Sequence, residues 1–224
     1  MKKFLIILPA FLISFQAISQ DWFSNHDYGE SVSAYVLGMA GDTIKGSIKY
    51  DFPIVMQKRI YFNPIQGSNT REEYTPDNLI GYSIDGKSWV STTVIMETFN
   101  GPFKFKRFGI LESDPGPVSL LRIFDEQDKL KKKINSAEAE KKLDNIMLNY
   151  PENSLDFLYI KKNEGDAELL SSKTFKKSFT SKMRLYVGDY EALIQKIESK
   201  QYQLGDLQKI VAEYNQWFES ERYR

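Results

Sequence analysis

The sequence predicts an α+β protein: an antiparallel β-rich domain, sandwich or partly open barrel, followed by C-terminal helices. Three observations carry that expectation. Period-two runs recur between Ser33 and Phe124 with turn signals every 8 to 12 residues or so, which amounts to about seven strands. Leu79 to Ile95 forms two such runs joined through Asp85-Gly86, a dipeptide suited to a turn in which both central residues need positive φ. Finally, about the last fifty residues change to helical spacing.

Composition sets the outer bounds. The 224 residues suffice for one large domain or two small ones. Hydrophobic residues make up 42% and charged residues 27%, ordinary globular usage. The 15 Phe, 13 Tyr and 3 Trp favour strands. Formal charge is zero, and setting aside Lys2 and Lys3 leaves 28 basic residues against 30 acidic, a balance that attracts neither nucleic acid nor anionic lipid.

Met1 to Ser19 has the three parts of a secretory signal peptide: Lys2-Lys3, the apolar run Phe4 to Phe15, and Ala17 and Ser19 before Gln20. The run is shorter than the roughly 20 residues of a membrane span, so no transmembrane segment is expected after its removal. There is no cysteine, hence neither a lipid-anchoring thiol nor a disulfide. The expected address is the periplasm, at the outer membrane.

Residues 20–31 read as an extended arm holding the one histidine, His26, as a solvated residue; a zinc site needs more His or Cys than the chain has. Residues 32–124 are the β-domain. Ser33 to Leu37 and Thr43 to Tyr50 flank Gly38 to Asp42, and Ile44, Gly46, Ile48 and Tyr50 share a face opposite Thr43, Lys45, Ser47 and Lys49. Arg59 to Phe62 is a short strand ended by Asn63-Pro64, and Thr75 to Asn78 is a turn into the hairpin. Both faces of the second hairpin arm carry apolar residues, which predicts a cover on each side from the C-terminal helices or a partner. After Asn100-Gly101-Pro102, Phe103 and Phe105 alternate with Lys104 and Lys106. Val118 to Phe124 is almost wholly apolar and reads as a central strand.

Residues 125–151 read as a charged helical insertion whose replacement by a short linker should leave the core intact. Residues 152–170 return as a β-hairpin able to pair with Val118 to Phe124 and close the sheet. Residues 171–224 carry three apolar stripes: Phe175, Phe179 and Met183; Tyr190, Leu193, Ile194 and Ile197; and Leu207, Ile210, Val211, Tyr214, Trp217 and Phe218. Asp189 and Asp206 stand where acids favour helix starts.

Catalytic signatures are scarce. Neither standard phosphate loop nor Gly-x-Ser-x-Gly occurs, and a single histidine gives a Ser-His-Asp triad poor odds. No cofactor, metal or catalytic residue is expected. Carboxylates and aromatics leave one alternative, a glycan-binding domain with a Trp89 and Tyr82 platform or a carboxylate-dependent hydrolase. The basic run Lys129 to Lys133 is diluted by Asp125, Glu126 and Asp128, and Lys173 to Arg184 suits the solvated face of the Phe175, Phe179 and Met183 helix.

Gly41-Asp-Thr-Ile-Lys-Gly46, Tyr74-Thr-Pro-Asp-Asn-Leu-Ile-Gly-Tyr82 with Trp89-Val-Ser91, and Val211-Ala-Glu-Tyr-Asn215 together resemble a group of exported Bacteroidota proteins of unassigned function. One member type of that group is similar to the periplasmic plug subunit of the type 9 secretion translocon. The resemblance implies a protein that docks on an outer-membrane complex or another envelope protein, and brings no catalytic residues. The candidate interface is aromatic: Trp89, Tyr82, Phe103, Phe105 and Phe108.

Overall fold

A computed structural model describes residues 26–51, 53–64, 70–98, 101–124 and 157–222, with backbone alone for 96–98. The leader, the first half of the arm and the charged insertion lie outside the described residues.

The first hairpin is β1 (Ser31–Gly38) and β2 (Thr43–Lys49), paired from Ser31↔Lys49 to Leu37↔Thr43. Alternation decides its faces: Val32, Ala34 and Val36 are buried with Ile48, whereas Ser31, Ser33 and Tyr35 are exposed. A single helical turn, α1 (Pro53–Met56), leads into β3 (Ile60–Asn63) and β4 (Glu72–Tyr74). The Thr75 turn is closed by the Asn78 amide donating to the Thr75 carbonyl (3.1 Å) and by the Thr75 amide donating to Asn78 Oδ1 (2.7 Å).

The Asp85-Gly86 hairpin has the expected turn: φ is +52° at Asp85 and +72° at Gly86. It joins β5 (Leu79–Ile84) to the twelve-residue β6 (Lys87–Thr98), followed by β7 (Gly101–Leu111), β8 (Val118–Arg122), β9 (Leu158–Lys162) and β10 (Ala167–Leu169). The strand order is β10-β9-β8-β7-β6-β5-β1-β2-β3-β4, and β10 also pairs with β6. Strands β6 to β10 thus form a closed five-stranded barrel, from which the other five extend as an open sheet. Every ladder is antiparallel except the closure, where β10 runs parallel to β6 through Ala167↔Val94 and Glu168↔Ile95. The expected return strand is β9, paired with β8 from Val118↔Lys162 to Arg122↔Leu158.

Three apolar clusters follow from this path. The open sheet curls around Val36, Ile48, Phe62, Tyr82, Trp89, Phe108 and their neighbours, with Met56 of α1 among them. The barrel encloses Val94, Leu121, Ile123, Tyr159 and Ala167. Outside it, Val118 and Leu120 of β8 and Leu158 and Ile160 of β9 meet the helices. β8 and β9 are therefore covered on both faces, which accounts for the mostly apolar run of β8, broken by Ser119 and Arg122.

The helices are α2 (Lys173–Lys177), α3 (Phe179–Val187), α4 (Glu191–Glu198) and α5 (Leu207–Arg222), the last preceded by a 3₁₀ turn (Leu204–Asp206). The apolar stripes pack together as core, burying Phe175, Met183, Leu193, Ile194, Ile210, Val211 and Tyr214. Ser172 Oγ caps α2 by accepting from the Phe175 amide (3.1 Å). Gln203 and Asp206 cap the 3₁₀ turn reciprocally, and the hydrogen bond from the Gln203 amide lowers the Asp206 pKa.

Three expectations are corrected. The second arm of the Leu79 to Ile95 hairpin is covered on both faces, but by the open-sheet and barrel clusters and not by the helices, which lie over β8 and β9 at Val118, Leu120, Leu158 and Ile160. Asp189 does stand at the start of α4, one residue before the Tyr190 N-cap, but its carboxylate does not cap the helix; it accepts from Tyr214 Oη (2.9 and 2.8 Å) and Lys162 Nζ (3.3 Å), tying α5 to β9. His26 is not a solvated arm residue. Its side chain is 20% exposed, Nε2 lies 2.7 Å from Asp85 Oδ2 and Nδ1 lies 3.3 Å from Glu30 Oε2, so residues 26–30 are pinned to the hairpin tip.

Candidate interaction surface

The five aromatic candidates do not share a surface. Tyr82 and Trp89 stack at 5.2 Å with an interplanar angle of 14°, and Phe108 meets Tyr82 edge-on at 5.1 Å. Trp89 and Tyr82 are each 3% exposed and Phe108 0%, so these three are core, and as interface residues they are corrected. Tyr82 Oη donates to the Met56 carbonyl (3.2 Å), as a buried phenol requires. Neither Trp89 nor Tyr82 offers a face on which a sugar ring could stack. Phe103, by contrast, is 59% exposed, and Phe105 is half-buried against the barrel core.

The backbone explains why Phe103 stands out. β7 pairs with β6 over all but its last residue, from Trp89↔Ile110 to Thr98↔Gly101, but with β8 only through Ile110↔Arg122 and Leu111↔Leu121. Residues 101–109 run on past the end of β8. On this side the Glu112 amide donates to the Leu120 carbonyl (2.8 Å) and the Phe108 amide to the Gln57 carbonyl (2.8 Å). Strand alternation aims the amides of Lys106 and Lys104 the same way, and among the described residues no strand pairs with them. Pro102 obeys the same geometry: its ring nitrogen faces this side, so it sits opposite Glu97 without removing a donor from the β6 ladder.

Side chains sort by face along this overhang. Phe103 and Phe105 stack at 5.9 Å, and the Arg107 guanidinium lies 4.5 Å above the Phe105 ring. Arg107 Nη1 donates to the Lys106 carbonyl (2.8 Å). On the opposite face Lys104 pairs with Asp166 (2.6 Å) and Lys106 with Asp77 (3.1 Å). The product is a two-stranded arm with aromatics on one face, lysines on the other and a main-chain edge that no described strand pairs.

Two groups missed in the sequence lie elsewhere. Gln57 and Asn215 are buried amides that bond backbone at the two ends of β8. The Tyr50 hydroxyl is buried and finds no hydrogen-bond partner among the described residues; burial first, then the charge of Asp85, raises its pKa to about 12. At neutral pH it stays a phenol, which suits packing rather than proton transfer. Among the described residues, no group of three or more His, Cys, Asp or Glu side chains is placed to hold a metal ion, and no helix is long and apolar enough to cross a membrane.

No protein family, no curated protein and no solved structure matches the chain.

Proposed function

We propose that this chain is a non-enzymatic interaction protein of the periplasm that docks on an outer-membrane assembly, as a plug or accessory subunit of a protein secretion channel. The observation that carries the reading is the exposed Phe103, stacked on Phe105 at the free end of the β6–β7 arm. Exposed aromatics held on a rigid strand bury large area at little conformational cost, which is how binding anchors work. The signal-like leader supports export, and the resemblance to exported envelope proteins supports the address.

Site-specific photo-crosslinking in intact cells tests it. A photoreactive residue at position 103 should capture one outer-membrane protein, whereas the same group at exposed Ser33 on β1 should not. Failure to crosslink at 103, or equal capture at both positions, would remove the reading.

A further inference from the structure

We infer that the edge of β7 at Lys104 and Lys106, unpaired among the described residues, receives an extended acidic segment of a partner protein as an added strand. This rests on the docking reading and specifies its mode. Main-chain donors two residues apart on one side of a strand are the repeat of a β-ladder, so an extended chain satisfies both. The window is short. Pro102 supplies no donor at one end, and at the other Arg107 covers the Lys106 carbonyl.

Side chains define the partner further. A residue opposite Lys104 or Lys106 on the added strand lies about 5 Å away on the lysine face, while its neighbours in sequence fall on the face of Phe103 and Phe105. Carboxylates alternating with apolar residues fit both. Asp166 and Asp77 do not fill this role, because the two lysines remain 59% and 45% exposed in those pairs and exposed pairs hold their members weakly. A second copy of the same edge would set lysine against lysine, which like-charge repulsion opposes.

The probe is a blocked octapeptide of alternating valine and glutamate, compared with alternating valine and lysine, in fluorescence anisotropy against the full chain. The acidic peptide should bind at least about tenfold tighter. Lys104→Pro, which removes one outward donor at a position where β7 already tolerates proline two residues earlier, should weaken it about tenfold with little change in Tm. The pair Lys104→Glu and Lys106→Glu leaves the backbone intact and should reverse the preference between peptides. Absence of saturable binding at millimolar peptide, no discrimination by charge, or unchanged binding in all variants would overturn the inference. So would a dimer that Lys104→Pro converts to monomer, which would assign the edge to self-pairing. A crosslink at 103 that persists beside a failed peptide assay leaves docking standing without strand addition; peptide binding without a crosslink does the reverse.

Discussion

Gln57 holds Phe124 as a neighbouring strand would: its Nε2 donates to the Phe124 carbonyl while its Oε1 accepts from the Phe124 amide at 2.8 Å. The side chain is 1% exposed, and Phe108 is bound to the same residue through its carbonyl. One glutamine therefore joins α1, β7 and the exit of β8. Gln57→Leu fills the space but removes both of the amide's hydrogen bonds to the Phe124 backbone. It should cost at least about 2 kcal/mol, read as a lower urea midpoint at unchanged slope. A loss below about 0.5 kcal/mol would show that the amide is not a structural bridge.

Asn215 does the same at the other end of β8. Its Oδ1 accepts from the Val118 amide (3.2 Å), and its Nδ2 donates to the carbonyls of Val118 (2.8 Å) and Asp114 (3.2 Å). Gly116 lies against it, so closely that a Cβ there would come within 2.3 Å of Asn215 Cγ. Gly116→Ala and Asn215→Ala should each destabilise, and the double variant should lose clearly less than their sum because the clash needs both side chains. Additive losses in a double-mutant cycle would separate the two residues.

Trp89 and Phe103 should part company under truncation. Trp89→Ala opens a cavity beneath Tyr82 and should cost about 3 to 5 kcal/mol. Phe103→Ala removes an exposed ring and should change stability by about 0.5 kcal/mol or less while lowering capture of the envelope partner. Thermal melts paired with pull-downs decide this; equal melts for both variants would contradict the burial pattern.

Alkaline pH should unfold the protein through its buried tyrosines. Burial foremost, then Asp85, raises Tyr50 to about 12, and burial foremost, then Tyr50, holds Tyr82 well above its ordinary 10.0. The folded pKa values lie above the unfolded ones, so stability is whole below about pH 10 and falls as pH climbs from there through 12. Tyr50→Phe removes an unpartnered buried hydroxyl. It should be neutral or slightly stabilising at pH 7 and flatten the decline above pH 10, as followed by denaturation at stepped pH. A large loss at pH 7 would mean that the hydroxyl has a partner.

What the sequence shows and hides follows from the range of each signal. The Asp85-Gly86 turn, the two-sided apolar run of β8 and the helical stripes are local periods, legible over a few residues. Barrel closure is not, since it depends on two residues of β10, Ala167 and Glu168, lying parallel to Val94 and Ile95 of β6. The aromatic candidates misled because period two fixes which residues share a face but not which face is buried: Phe108 turns inward beside Tyr82, and Phe103 turns the other way past the end of β8. Asn215 did leave a trace, a polar residue in the apolar stripe with Val211 and Phe218. Gln57 left none, since α1 is one turn long.

Strand β6 belongs to two cores at once. Trp89 closes the open-sheet cluster and, five residues on, Val94 lines the barrel. Neither cluster can come apart without stripping one face of the same strand, so the two halves share their fate in unfolding. Calorimetry of the described fold should give one transition, not a barrel that melts apart from its sheet, and the amides between Trp89 and Val94 should be the last to exchange with solvent deuterium.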